Sequence, residues 1–266
     1  MEKIFSRLNF VIDESNEITK HFDRKELDNI TMFCMCMLDR IRFSSEGLNP
    51  LLAKLETNPM MDYPAGIIIR SALLDYLIVL NAFEIYGRNI SDPKVCHAEL
   101  DKYCLMMLCD SVRNTMEYFQ TLEGQIDKDV LNTMYKNLVA MNSRCFEDYA
   151  DDGSVPKIKI KEYRSPKQLL SVLMSSKDLK RFKNIYEAYL FYSKYDHFGN
   201  MFYGLSRINP DAQLRNLDNA IRIFPRIVLF VNTILNSLYS TDTFISNKIQ
   251  STMAFIDDIE GLNKIK

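Results

Sequence analysis

Apolar residues recur every three to four positions along nearly the whole chain, and that period predicts helix after helix. A loose first stripe runs through Phe5, Leu8, Ile12 and Ile18. A tighter one, Leu27, Ile30, Phe33, Cys34, Met37, Leu38 and Ile41, predicts a helix from about Lys25 to Arg42, ended by Gly47 and Pro50. The third helix is expected to open near Pro64 and close near Gly87. Almost every position from Ile67 to Leu80 is apolar, which makes this the central helix.

Punctuation residues place the remaining elements. Ser91, Asp92 and Pro93 start a long fourth helix that reaches about Leu122, and a fifth is expected from about Asp127 to Tyr149. Asp151, Asp152, Gly153, Ser154 and Pro156 are turn formers. From Lys157 to Tyr163 lysines alternate with Ile158 and Ile160, the pattern of a short exposed strand or an extended loop. Helix resumes at Ser165 and Pro166, again from about Ser176 to His197, and again at Asn209, Pro210 and Asp211. Pro225 falls inside an apolar period and should kink or split its helix near Phe224. The reading is an all-α, multi-helix bundle of about eight to nine helices. It forms a single compact domain with a loop insertion near 150–164. The core spans about 25–240, with helices 2–20 and 242–258 at the periphery.

Composition supports this and excludes some alternatives. The chain has 266 residues, 47% of them hydrophobic and 26% charged, with eight Gly and eight Pro. So few breakers favour helix, and this length buries a sizeable core unaided. The most apolar stretches, Ala65 to Phe83 and Ile221 to Leu238, carry Arg70 with Asp75 and Arg222 with Arg226. Charges at a bilayer centre are costly, so both read as buried helices with no membrane role. The six cysteines form no CxxC pair, which points to reduced thiols in the cytoplasm.

Candidate chemistry is sparse. There is no phosphate-cradling Gly-rich loop, no HExxH and no nucleophile elbow, and no cofactor is expected. Cys34 and Cys36 would point about 200° apart on a helix and cannot share a metal. His97, Asp101 and Cys104 fall on one helical face and could begin a zinc site, though no fourth ligand is identifiable. Arg70 sits in the most apolar helix and needs a partner. Asp75 lies about 140° around the same helix, so that partner is expected on another one. His197 follows Tyr189, Tyr192, Ser193 and Asp196, a polar and aromatic neighbourhood near a helix C-terminus, where the dipole favours a protonated imidazole. Net charge is −2, yet Lys157 to Lys183 holds nine cations against two acids, including Lys177, Lys180, Arg181 and Lys183. With Tyr163 and Phe182 interleaved, this is the best candidate for an RNA-contacting face.

Ile69-Arg70-Ser71-Ala72-Leu73-Leu74-Asp75 resembles the Arg-Ser-x-x-x-acid helix of a HEPN-like group of bacterial helical proteins. Tyr189-x-x-Tyr192-Ser193-x-x-x-His197 is similar to the Tyr/Ser/His helix of that group. The resemblance implies an α-helical bundle, a homodimer or another protein partner, and RNA as a target class. It carries over Arg70, Asp75, Ser193 and His197 as a polar cluster converging from two helices. The usual Arg-x(4–6)-His signature of the HEPN ribonucleases is absent, and the nearest case, Arg88 and His97, has eight residues between. Three functions follow as expectations. The favoured one is a non-catalytic interaction module. The second is an RNA-acting enzyme with His197 as general acid/base and Arg70 stabilising the phosphorane. The third is a small-ligand pocket lined by tyrosines such as Tyr189 and Tyr192.

Overall fold

The structure, a computed structural model, describes residues 1–23, 26–148, 155–162, 164–175, 183–193 and 210–261. Among them the fold is all-α. The helices are α1 (Glu2–Phe22), α2 (Asn29–Ala53), α3 (Asp62–Asn89), α4 (Pro93–Thr121), α5 (Lys128–Met141), α6 (Pro166–Ser175), α7 (Lys183–Ser193), α8 (Pro210–Ile221), α9 (Phe224–Leu238) and α10 (Thr243–Glu260). Among the described residues α8 and α9 part at Arg222 and Ile223, where Pro225 takes the first turn of the new helix, at the split expected near Phe224.

Helix starts follow the caps that the sequence offers. Asp28 accepts from the amide of Thr31 at 2.6 Å, Asp92 from Lys94 at 3.1 Å, and Asp242 from Phe244 at 3.0 Å. Ser165 and Gln168 form a reciprocal capping box, with each side chain accepting from the other's amide.

Two expected boundaries are corrected. Helix α2 does not stop at Arg42 but runs through Gly47 and Pro50 to Ala53. Gly47 lets α3 approach: a Cβ there would stand 3.3 Å from Ile68 Cδ1. Helix α5 ends at Met141, short of Tyr149, because the Asn142 side chain turns back to the Leu138 carbonyl at 3.0 Å. The chain then makes a 3₁₀ turn at Ser143–Cys145. The Lys157 to Ile160 stretch is extended, with a single bridge between Phe146 and Ile158.

The first four helices run antiparallel in sequence. Asn9 meets Asn49, Arg40 meets Asp75, and Tyr103 donates to the Ile78 carbonyl at 2.9 Å. Helix α3 is central, packed by α2, α4, α6, α7 and α9. It and the run Leu214–Leu238 are long and apolar enough to cross a membrane, but 61% and 56% of their apolar windows are buried inside the bundle. Helix α1, expected at the periphery, contributes Ile4, Leu8, Val11 and Ile18 to the main core. A second, smaller core gathers Cys109, Val112, Met116, Leu131, Tyr135, Cys145, Phe146 and Ile158 where α4 meets α5 and the extended segment.

Candidate functional site

The two sequence patches around Arg70 and Tyr189 lie face to face. Helix α7 packs on α3, and the Arg70 guanidinium stands 5.6 Å from the centroid of the Tyr189 ring. That is within cation–π range, and the contact comes from another helix, as expected. Tyr192 is buried, and its phenol is pushed well up by that burial and by the nearby Asp62 carboxylate. Ser193 donates to the Leu190 carbonyl of its own helix at 2.7 Å.

Asp75 is not part of this grouping. It is 1% exposed and turned toward α2, where Arg40 Nε and Nη2 reach its Oδ1 at 2.9 and 2.8 Å. Burial raises its carboxyl, and Arg40 opposes that rise. Arg40 was not singled out in the sequence, since nothing local marks a partner 35 residues upstream. Asp196, His197, Lys177, Lys180 and Arg181 lie outside the described residues, and so does the side chain of Lys183.

Between α7 and α8 is a cleft of about 540 Å³ lined by Leu73, Ile185, Phe191, Tyr192, Asn216 and Asn219, among others. Tyr192, though buried, is the sequence-singled residue in its lining.

A second region carries the charge. The extended segment lies along α4, held there by Arg113, whose Nη2 donates to the carbonyls of Ile160 at 3.1 Å and Glu162 at 3.3 Å. Two grooves of about 450 and 400 Å³ adjoin along this seam and share Lys102, Met106 and Glu162. Their walls carry Arg88, Lys102, Lys159, Lys161 and Arg164 against Glu99 and Glu162. Lys102, Lys159 and Lys161 are exposed. Arg164 lies 5.7 Å over the ring of Tyr103, which is itself buried. The basic stretch had pointed to Lys159, Lys161 and Arg164; Lys102 and Arg88 join them from α4 and α3.

The metal reading of His97, Asp101 and Cys104 fails on geometry. His97 is exposed, Asp101 accepts the Asn29 amide at 2.9 Å, and Cys104 is sealed in the core. No group of three His, Cys, Asp or Glu able to hold an ion occurs among the described residues. Cys34 is buried and Cys36 half-buried, facing apart as the CxC spacing requires. Compared with protein-family models, with curated proteins and with solved structures, the chain matches none.

Proposed function

We propose that this protein is a non-catalytic helical binding module that holds a single-stranded RNA backbone along the seam between α4 and residues 155–164. One observation carries the reading: five cations line two adjoining grooves against two carboxylates, on a chain whose net charge is −2. Such a local surplus in an otherwise balanced protein attracts phosphates by releasing their counterions. The groove's aromatic ring, Tyr103, is buried with its hydroxyl on the Ile78 carbonyl. Among the described residues the grooves offer bases no exposed ring to stack on, and the contact read there is to phosphate and sugar, with little sequence preference.

The facing Arg70 and Tyr189 patches are what supports a HEPN-like module, in which the Arg70–Tyr189 contact fixes helix α7 on α3. The test is fluorescence anisotropy of an end-labelled 20-nucleotide RNA. The reading expects saturable binding to the wild type, weakened at least about tenfold in a Lys102→Glu, Lys159→Glu, Lys161→Glu variant of unchanged helicity. Equal binding by both proteins removes the groove as the site.

A further inference from the structure

We propose that Cys109 and Cys145 form a peroxide-sensitive dithiol, in which oxidation closes a disulfide between α4 and the 3₁₀ turn Ser143–Cys145. The inference does not rest on the groove or its ligand. It starts from proximity: Cys109 Sγ donates to the Cys145 carbonyl oxygen at 3.7 Å. The two side chains are also close enough to act on each other's ionisation. They are 36 positions apart in sequence, so no CxxC spacing announces them. With Cys109 Sγ against the Cys145 backbone, side-chain rotation is the movement that would bring the two sulfurs to a disulfide length of about 2.05 Å.

The surroundings divide the roles. The Cys145 side chain favours ionisation of Cys109, burial opposes it, and the Ile160 backbone amide, Arg113 and Lys159 favour it, leaving its thiol lowered to about 7. Cys145 moves the other way, pushed up by Cys109 and by burial, against Arg144 and Lys159. The Ile160 amide and the Arg113 guanidinium act on Cys109 and not on Cys145, which assigns Cys109 as the attacking thiolate and Cys145 as the resolving thiol. The other cysteines with a resolved shift, Cys34, Cys36, Cys96 and Cys104, are all raised.

Both sulfurs are shielded from solvent. Their cover is thin. The extended segment is tied down by Glu147 N–H to the Lys157 carbonyl at 2.8 Å, by Lys159 N–H to the Cys145 carbonyl at 2.9 Å, and by the two Arg113 bonds. Among the described residues these are the bonds whose opening would admit a molecule the size of hydrogen peroxide.

The chemistry balances. The Cys109 thiolate attacks one oxygen of hydrogen peroxide, the O–O bond breaks, and the displaced hydroxide takes up a proton and leaves as water. This gives the sulfenic acid. The Cys145 sulfur then attacks the Cys109 sulfur, the S–O bond breaks, and a second water leaves with the Cys145 proton. Two thiols lose two electrons, and one peroxide is reduced to two waters.

The test treats the reduced full chain with one equivalent of hydrogen peroxide, blocks remaining thiols with N-ethylmaleimide, and maps the non-reduced digest by mass spectrometry. The expected first product is a Cys109–Cys145 linked peptide, reversed by dithiothreitol, with the other four cysteines still blocked. A Cys145→Ser variant should instead trap the sulfenic acid on Cys109 as its dimedone adduct. In the wild type, the rate of linkage should be half-maximal near pH 7. Modification first at the half-buried Cys36, sulfinic acid on Cys109 without a linked peptide, or six unreacted thiols would each overturn the proposal.

Discussion

Arg40 and Asp75 join α2 to α3 through one oxygen: both guanidinium nitrogens reach Asp75 Oδ1, while Oδ2 is buried with no partner among the described residues. Arg40 is half exposed and Asp75 is not, so the carboxylate carries the desolvation and the arginine offsets part of it. Arg40→Ala should cost about 3 kcal/mol at pH 7, because it strands a buried charge. The raised Asp75 carboxyl favours the folded state at low pH, and that advantage is lost as pH rises through its folded pKa. The Arg40→Ala penalty should therefore shrink on acidification, when Asp75 can be buried neutral. Urea midpoints of both proteins from pH 7 to pH 4 check this; a constant penalty would show that Asp75 is not the group relieved.

The Arg7–Asp218 pair titrates in the opposite sense. Burial pushes the Asp218 carboxyl up, but Arg7 and Arg222 more than reverse this, leaving it below the usual range. A depressed carboxyl gives stability that is present above its unfolded pKa and lost as pH falls through the folded one. Arg7 is 1% exposed, so Asp218→Asn should cost about 3 kcal/mol at neutral pH by leaving that guanidinium short of its counter-charge. The gap between wild type and variant should close below about pH 4. Thermal melts across that range would contradict the account if the gap widened instead.

Asn232 on α9 is fully buried, and among the described residues neither its amide nitrogen nor its oxygen has a hydrogen-bond partner. Burying an amide without partners costs about 1–3 kcal/mol. Asn232→Leu keeps the branching of the side chain and removes that cost, so it should stabilise the bundle by about 1 kcal/mol. Guanidinium unfolding followed by circular dichroism reads the change, and a loss of similar size would mean the polar group is needed.

The period of apolar residues made the helices legible, and the caps made their starts legible, because both are local. Asp92, Asp242 and the break before Pro225 all lie where the sequence puts them. The extension of α2 past Gly47 and Pro50 was not legible, because its cause is a contact with Ile68 some twenty residues on. The site divides the same way. Lys159, Lys161 and Arg164 stood out as a run, whereas Lys102 and Arg88 reach the same grooves from α4 and α3. Asp75 shares a short motif with Arg70, yet its partner is Arg40 on another helix. The His97, Asp101 and Cys104 spacing is real, but His97 meets solvent, Asp101 is taken by Asn29 and Cys104 is sealed in the core.

The central claim, that the α4 seam holds an RNA backbone by charge, is tested most directly by salt. Each phosphate neutralised on a single strand contributes about 0.7 to the slope of log affinity against log salt concentration. With three to five of the groove cations engaged, the wild type should show a slope of about −2 to −3.5. A Lys159→Ala, Lys161→Ala variant should be shallower by about 1.4. A slope near zero, or one that the variant leaves unchanged, would contradict the account.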